Sequence, residues 1–110
     1  MQTVNREQLK KMMDKDKTMI LAEVLPLKNY HKYHIAGAVS LPLNERFEDQ
    51  FQKIIPDKNR SVVLYCSNSG CQASEEASRR VEEAGYTNVY DYKDGKEDWK
   101  EAGLPVETGS

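Results

Sequence analysis

The chain has 110 residues, of which 38% are hydrophobic and 31% charged, and its net charge is −2. This length suits one domain, and the apolar residues cluster in short runs that can form a small core, which argues against disorder. No basic cluster favours nucleic acid, no apolar run is long enough to span a bilayer, and the N-terminus lacks the apolar stretch of a signal peptide. We therefore predict a cytoplasmic protein with no nucleic-acid or membrane partner.

The N-terminal half predicts helices alternating with short strands. Asn5 and Gln8 have the spacing of a capping box, and apolar residues follow at helical intervals. The apolar run over 19–24 is typical of a buried strand, and Pro26 ends it. The predicted elements of this half are a helix over 6–16, a strand over 19–24, one helical turn over 29–33, a strand over 38–41 and a helix over 45–55.

The C-terminal half contains the most strand-like segment, residues 61–65. Its aliphatic run shows no polar alternation, which is typical of a central parallel strand covered on both faces. A helix from 73 or 74 to 84, a strand over 89–92 and a helix over 96–102 follow. This alternation predicts one α/β domain over 1–107, a three-layer α/β/α fold with a mostly parallel central sheet of about five short strands. Residues 108–110 are expected to form a tail.

Residues 65–74, YCSNSGCQAS, connect the predicted central strand to the next helix. Cys66 directly follows the strand, and sites in parallel sheets lie at the carboxyl ends of strands. Small residues let the loop amides turn inward, Gly70 permits a positive φ, and the helix N-terminus adds partial positive charge. Such an environment stabilises a thiolate, which can attack sulfur or hold a terminal sulfur as a persulfide without a metal or cofactor.

Other interpretations of the two cysteines stay open at this stage. Cys66 can be an inert buried residue, and a zinc site formed by Cys66, Cys71, His31 and His34 is a weaker alternative. In a cytoplasmic protein the two cysteines are expected to be free thiols rather than a structural disulfide. Cys71 is either a packing residue or a resolving thiol, which would attack a persulfide or sulfenic acid on Cys66 and leave a disulfide.

Several motifs in register resemble the rhodanese-like sulfurtransferase family over nearly the whole chain. Leu21-Ala22-Glu23-Val24 resembles the family's strand that ends in Asp-Val, and Val62–Cys66 resembles the strand that delivers its catalytic cysteine. The further matching segments are Tyr30 with 34–38, 41–43, 84–90 and 95–106, the last of which contains the Gly-x-x-x-Trp pattern.

The resemblance implies a specific chemistry for Cys66. It would accept a sulfane sulfur from a donor, become a persulfide, and pass the sulfur to cyanide or a thiol. The persulfide would lie in a cradle formed by Ser67, Asn68, Ser69, Gly70, Cys71 and Gln72. Glu23 and His34 would support the loop. The expected partners are a small sulfur donor or a protein thiol, and we expect a monomer.

The sequence departs from the family pattern in ways that bear on the substrate. Glu23, Leu25 and Ala36 replace the family's usual Asp, Arg and Pro. No Arg or Lys lies between Cys66 and Ser74, and Cys71 stands where many relatives carry a cation, so attraction for thiosulfate is weakened. The loop is also longer than the commonest form, as in phosphatases and arsenate reductases of this fold, but it lacks their oxyanion-binding Arg.

Three hypotheses for the function follow from these observations. The first is sulfur transfer through a persulfide on Cys66. The second is a dithiol redox module that uses Cys66 and Cys71. The third is a catalytically silent rhodanese-like binding domain.

Overall fold

A five-stranded parallel sheet lies at the centre of the structure, a computed structural model that describes residues 1–109. In chain order the strands of the structure are β1 (Gln2–Val4), β2 (Ile20–Glu23), β3 (His34–Ile35), β4 (Val39–Ser40), β5 (Val62–Tyr65), β6 (Val89–Tyr92) and β7 (Val106–Glu107). The strands of the central sheet lie in the order β1-β6-β5-β2-β4, so β5 is central, as predicted. The other two, β3 and β7, form a separate antiparallel pair.

Helices cover both faces of the central sheet. They are α1 (Arg6–Lys15), α2 (Leu27–Lys32), α3 (Phe47–Ile54), α4 (Ala73–Glu83) and α5 (Gly95–Glu101). On one face, Leu9 of α1 and Trp99 of α5 pack against Val63 and Tyr65. On the other face, residues of α3 and α4 pack against Val62 and its neighbours. The two clusters produce the predicted three-layer α/β/α architecture, because alternate residues of β5 enter opposite cores.

The predicted elements are confirmed, with ends that move by one or two residues. The capping box is present: the Asn5 side chain accepts from the Gln8 amide, and the Gln8 side chain accepts from the Asn5 amide. The strands β1, β3 and β7 were not predicted, because each has three residues or fewer and pairs with a distant segment.

The end of the chain contacts the domain within the residues described. In the predicted tail, the Gly109 amide donates to the carbonyl of His31 at 2.8 Å. Ser110, the last residue of that tail, lies outside the described residues. Within 1–109, none of the helices has both the length and the apolar character required to cross a membrane.

Candidate functional site

The two cysteines meet at the carboxyl end of β5. Cys66 is fully buried, Cys71 is half-buried, and their sulfur atoms form a disulfide. Their Cα atoms are 6.4 Å apart, inside the span of about 4.4–6.8 Å that disulfides require. The structure therefore contradicts the expectation of two free thiols, because the intervening loop folds back on itself. It also brings the candidate resolving residue Cys71 into direct contact with Cys66.

Asn68 organises the turn that joins the cysteines. Its carbonyl accepts from the Cys71 amide at 3.0 Å, and its side-chain oxygen accepts from the Gly70 amide at 2.9 Å. This is the local hydrogen bonding that makes Asn common in turns. In this conformation two of the predicted cradle amides, those of Gly70 and Cys71, are already engaged within the loop. A persulfide would therefore depend on the other amides of the predicted cradle, which include Ser67, Ser69 and Gln72.

Gly95, rather than Gly70, is the glycine whose special conformation shapes the loop. Gly70 is not among the glycines with positive φ, whereas Gly95 has φ 76°. A Cβ on Gly95 would lie 2.6 Å from the carbonyl carbon and oxygen of Ser67 and 2.7 Å from the amide nitrogen of Asn68. The start of α5 therefore lies directly against the loop backbone, which only a residue without a side chain allows.

Hydrogen bonds from α5 hold the same stretch of backbone. The amide of Lys96 donates to the Cys66 carbonyl, and the amide of Glu97 donates to the Ser67 carbonyl, both at 3.0 Å. The first turn of a helix has free N–H groups, so these two bonds satisfy donors that have no partner inside α5. The position of Cys66 thus depends on the strand that precedes it and on a helix about thirty residues later.

A buried ion pair between Glu23 and Lys96 lies at the same edge of the sheet. The Lys96 Nζ is 3.2 Å and 3.3 Å from the two carboxylate oxygens of Glu23, and it donates to the carbonyls of Asn29 and Tyr33 at 2.9 Å and 2.7 Å. Burial raises the pKa of the Glu23 carboxyl, while the Lys96 charge and a hydrogen bond from Tyr65 oppose that rise.

Glu23, which was expected to support the cysteine loop, lies in this ion pair. Its contacts are with Lys96 and Tyr65 rather than with amides of the cysteine loop. Sequence reasoning missed Lys96, because a lysine in the first turn of a polar helix usually lies in solvent. The sequence feature that could have pointed to Lys96 is its position directly after Gly95.

His34, which was also expected to support the loop, contacts Tyr30 and Glu107. Its Nδ1 is 2.8 Å from the Tyr30 carbonyl oxygen, and its ring stacks on the Tyr30 ring at 3.7 Å between centroids. Its Nε2 is 3.6 Å from a carboxylate oxygen of Glu107 on β7. His34 thereby connects α2 to the small antiparallel sheet.

Glu97 places a negative charge against the cysteine loop. The Asn68 amide group donates to a carboxylate oxygen of Glu97 at 3.2 Å. Arg80 pairs with Glu48 on α3, with its Nε 2.7 Å from the carboxylate. Arg79 is exposed on α4. An anionic substrate would therefore meet an anionic neighbour at the loop.

Comparison with known families agrees with this geometry. A family profile described as the rhodanese-like domain matches residues 5–102. The chain belongs to the rhodanese-like domain family. The profile covers the strand that delivers Cys66, the loop and the helix that holds it.

Curated relatives of this rhodanese-like chain carry several different names. It is 34% identical over 90 residues to the HTH-type transcriptional regulator Rv0324 of Mycobacterium tuberculosis, covering 82% of this chain and 38% of the relative. It is 39% identical over 62 residues to the thiosulfate sulfurtransferase PspE of Escherichia coli, covering 56% of this chain and 57% of the relative. It is 29% identical over 96 residues to the putative sulfur carrier protein YrkF of Bacillus subtilis, covering 87% and 49%. The chain thus spans well under two thirds of each of these relatives.

Solved structures support the fold of this rhodanese-like chain. The BH2092 protein of Bacillus halodurans superposes with a TM-score of 0.86 at 24% identity, covering 97% of this chain and 77% of that one. A thiosulfate sulfurtransferase of Pseudomonas aeruginosa superposes with a TM-score of 0.84 at 21% identity, covering 99% and 20%. A rhodanese with anions from E. coli superposes with a TM-score of 0.67 at 28% identity, covering 83% of this chain and 99% of that one.

Proposed function

We propose that this rhodanese-like domain transfers sulfane sulfur through a persulfide on Cys66, with a thiol or cyanide as the acceptor. The observation that carries the proposal is the position of Cys66, which lies at the carboxyl end of the central strand in a loop held by α5. Family membership supports it, as do relatives named as a thiosulfate sulfurtransferase and a putative sulfur carrier protein.

The transfer takes place in two displacements at sulfur. The Cys66 thiolate attacks the outer sulfur of the donor, a new S–S bond forms, and the remainder of the donor leaves with the electron pair of the broken bond. The acceptor then attacks the terminal sulfur, and Cys66 leaves as the thiolate. Neither displacement requires a metal or an organic cofactor.

The charges around the loop favour some donors over others. Thiosulfate is a dianion, and the Glu97 carboxylate contacts the loop through Asn68. We therefore expect a polysulfide or a protein persulfide to be a better donor than thiosulfate. Because Cys66 is buried in the disulfide form, the reduced loop must open for any donor to reach the sulfur.

The disulfide itself favours a second candidate function, a dithiol cycle. Starting from a persulfide on Cys66, the Cys71 thiolate attacks Cys66 Sγ, the bond to the outer sulfur breaks, and hydrosulfide leaves. The product is the Cys66–Cys71 disulfide that the structure contains. An external dithiol then reduces this disulfide and is itself oxidised. In this cycle the acceptor of the electrons is the sulfane sulfur, which is released as sulfide.

Mass spectrometry of the intact protein tests the first proposal. The reduced protein is incubated with a polysulfide, with thiosulfate as the comparison donor. We expect the mass of one added sulfur atom on the Cys71→Ser variant and none on Cys66→Ser. If neither donor adds sulfur to Cys71→Ser, sulfur transfer is excluded and the silent binding domain becomes the better interpretation.

Sulfide release tests the second candidate. The wild-type chain is expected to release hydrosulfide and end as the internal disulfide, whereas Cys71→Ser should retain its persulfide until an external thiol is added. If both cysteines of the wild type stay open to alkylation after polysulfide or mild peroxide treatment, the dithiol cycle is wrong.

A further inference from the structure

A buried polar cluster lies beneath the cysteine loop, between α4 and β6. Asp91, Ser74 and Ser78 expose 2%, 1% and 0% of their surfaces. Asp91 pairs in register with Leu64, so its side chain lies on the sheet face that α4 covers. Among residues 1–109, the Oδ1 of Asp91 and the Oγ of Ser78 have no hydrogen-bond partner. Buried polar atoms are normally paired, and an unpaired carboxyl oxygen in a core calls for an explanation.

Ser74 connects this cluster to the reactive sulfur. Its Oγ lies 3.6 Å from the Sγ of Cys66, and its hydrogen bond with the Asp91 carboxyl lowers the pKa of that carboxyl. A serine hydroxyl donates one hydrogen bond and accepts others at the same time, so it can receive a proton on one side while it gives one up on the other. A single hydroxyl therefore joins the buried acid to Cys66.

The surroundings of Asp91 contain little charge to hold it ionised. Glu75, on the first turn of α4, is a like charge, and Lys93, just beyond β6, is the opposing cation. The strand residues beside it in register are Leu64 and Thr3, which carry no charge. Burial raises the pKa of the Asp91 carboxyl, and the hydrogen bond with Ser74 partly opposes that rise.

We propose that Asp91 is the proton partner of Cys66, exchanging one proton with it through Ser74 whenever the Cys66–Cys71 disulfide opens or forms. The proposal rests on the dithiol cycle proposed above. Asp91 is a positioning residue, because it acts on the sulfur only through the serine hydroxyl. No part of the sulfur-transfer chemistry described above makes use of this carboxyl.

The proton transfer accompanies the reduction of the disulfide. An external dithiol attacks Cys71 Sγ, the more accessible sulfur, and the S–S bond breaks with its electron pair on Cys66. The Cys66 thiolate then takes a proton from the Ser74 hydroxyl as Ser74 takes one from protonated Asp91. In the reverse direction Cys66 gives up its proton by the same route before it attacks. One proton moves from Asp91 to Cys66 on reduction, and one returns on oxidation. The electrons for the reduction come from the dithiol.

Two groups that share a proton titrate as a pair rather than singly. In the reduced protein the first proton lost would leave a mixture of thiolate with carboxylic acid and thiol with carboxylate. The thiolate would consequently appear in two steps as the pH rises. The carboxylate would also shift the second step to higher pH, by about one pH unit or more, which is the strength of interaction at which two groups titrate as a pair.

The test follows the thiolate of Cys66 by its ultraviolet absorbance across pH, in Cys71→Ser so that only one thiol is present. We expect two steps in that background. Asp91→Asn should leave one step at lower pH. Ser74→Ala should bring the two steps closer together, because the hydroxyl that couples the carboxyl to the sulfur is lost while both groups still exchange protons with water. Asp94→Asn is the matched control: it makes the same chemical change at an exposed position and should leave both steps in place.

A second measurement on the wild-type chain avoids any dependence on variants. Carbon NMR of the Asp91 carboxyl is followed across pH in the disulfide and reduced forms, and its midpoint should move when the disulfide opens. An unmoved midpoint overturns the proposal, as does an Asp91→Asn titration identical to that of its parent. Neither measurement uses a sulfur donor. A failure of sulfur transfer therefore shows in the mass experiment alone, and a failure of the proton partnership shows in these titrations alone.

Discussion

Replacing Gly95 by alanine tests whether the close approach of α5 defines the cysteine loop. The new Cβ would lie 2.6 Å from the backbone of Ser67 and 2.7 Å from the amide nitrogen of Asn68. Real Cβ atoms do not approach other atoms so closely, and the atoms they would meet are backbone, which cannot rotate away as the end of a side chain can. The loop that carries Cys66 must therefore shift.

Gly103→Ala is a matched control for the backbone contribution. Gly103 has φ 76°, the same value as Gly95, but a Cβ there would meet nothing within 4 Å. Alanine at positive φ costs about 1–2 kcal/mol. Alanine also lowers the conformational entropy of the unfolded chain, which offsets about 0.4–1 kcal/mol of this cost. We therefore expect Gly103→Ala to lower the free energy of unfolding by about 1 kcal/mol.

Gly95→Ala should cost more than this control by the energy of the steric conflict. Forcing an extra methyl group into a well-packed region typically costs about 1–3 kcal/mol. The expected loss in the free energy of unfolding for Gly95→Ala is then about 2–4 kcal/mol. Because the conflict is with the loop, formation of the Cys66–Cys71 disulfide under mild peroxide should also slow in Gly95→Ala and not in Gly103→Ala.

Urea unfolding of both variants, with the disulfide intact and after reduction, provides the measurement. The slope of the free energy against urea should stay unchanged, so that the midpoint reports stability. Equal losses for Gly95→Ala and Gly103→Ala would contradict this interpretation, because the whole effect would then come from backbone conformation and none from contact with the loop.

Three further predictions concern charged groups. Lys96→Met should lower the free energy of unfolding by about 3–5 kcal/mol, because it leaves the Glu23 carboxylate buried without its partner. Glu23→Gln combined with Lys96→Met should cost less than Lys96→Met alone, and urea unfolding of the single and double variants distinguishes these outcomes. Burial raises the pKa of Asp91 in the folded protein above its pKa in the unfolded chain. The wild type should therefore lose stability as the pH rises from below the unfolded-state pKa through the folded-state pKa. Asp91→Asn should remove this pH dependence, as measured by thermal unfolding across pH. Arg80→Gln should cost under about 1 kcal/mol, since its pair with Glu48 is partly exposed; a larger loss in chemical denaturation would contradict this estimate.

Local patterns in the sequence were sufficient to predict the order of the main elements. The capping box at Asn5 and Gln8 and the uninterrupted aliphatic run of β5 both act over a few residues, so they can be recognised without tertiary information. The position of Cys66 followed from the same information, because the residue after a central parallel strand lies at the edge where sites form. The short strands β1, β3 and β7 could not be predicted in this way, since their stability comes from distant partners.

Local sequence patterns thus define the α/β order, the central strand and Cys66 as the candidate nucleophile. The tertiary structure shows how the loop around Cys66 is held. It bonded Cys71 to Cys66, set Gly95 against the Ser67 backbone and buried Lys96 on Glu23, which is 73 residues away in sequence. The physical reason is that periodicity reports which face of an element is apolar, whereas a polar contact depends on which distant segment lies within about 3 Å of it.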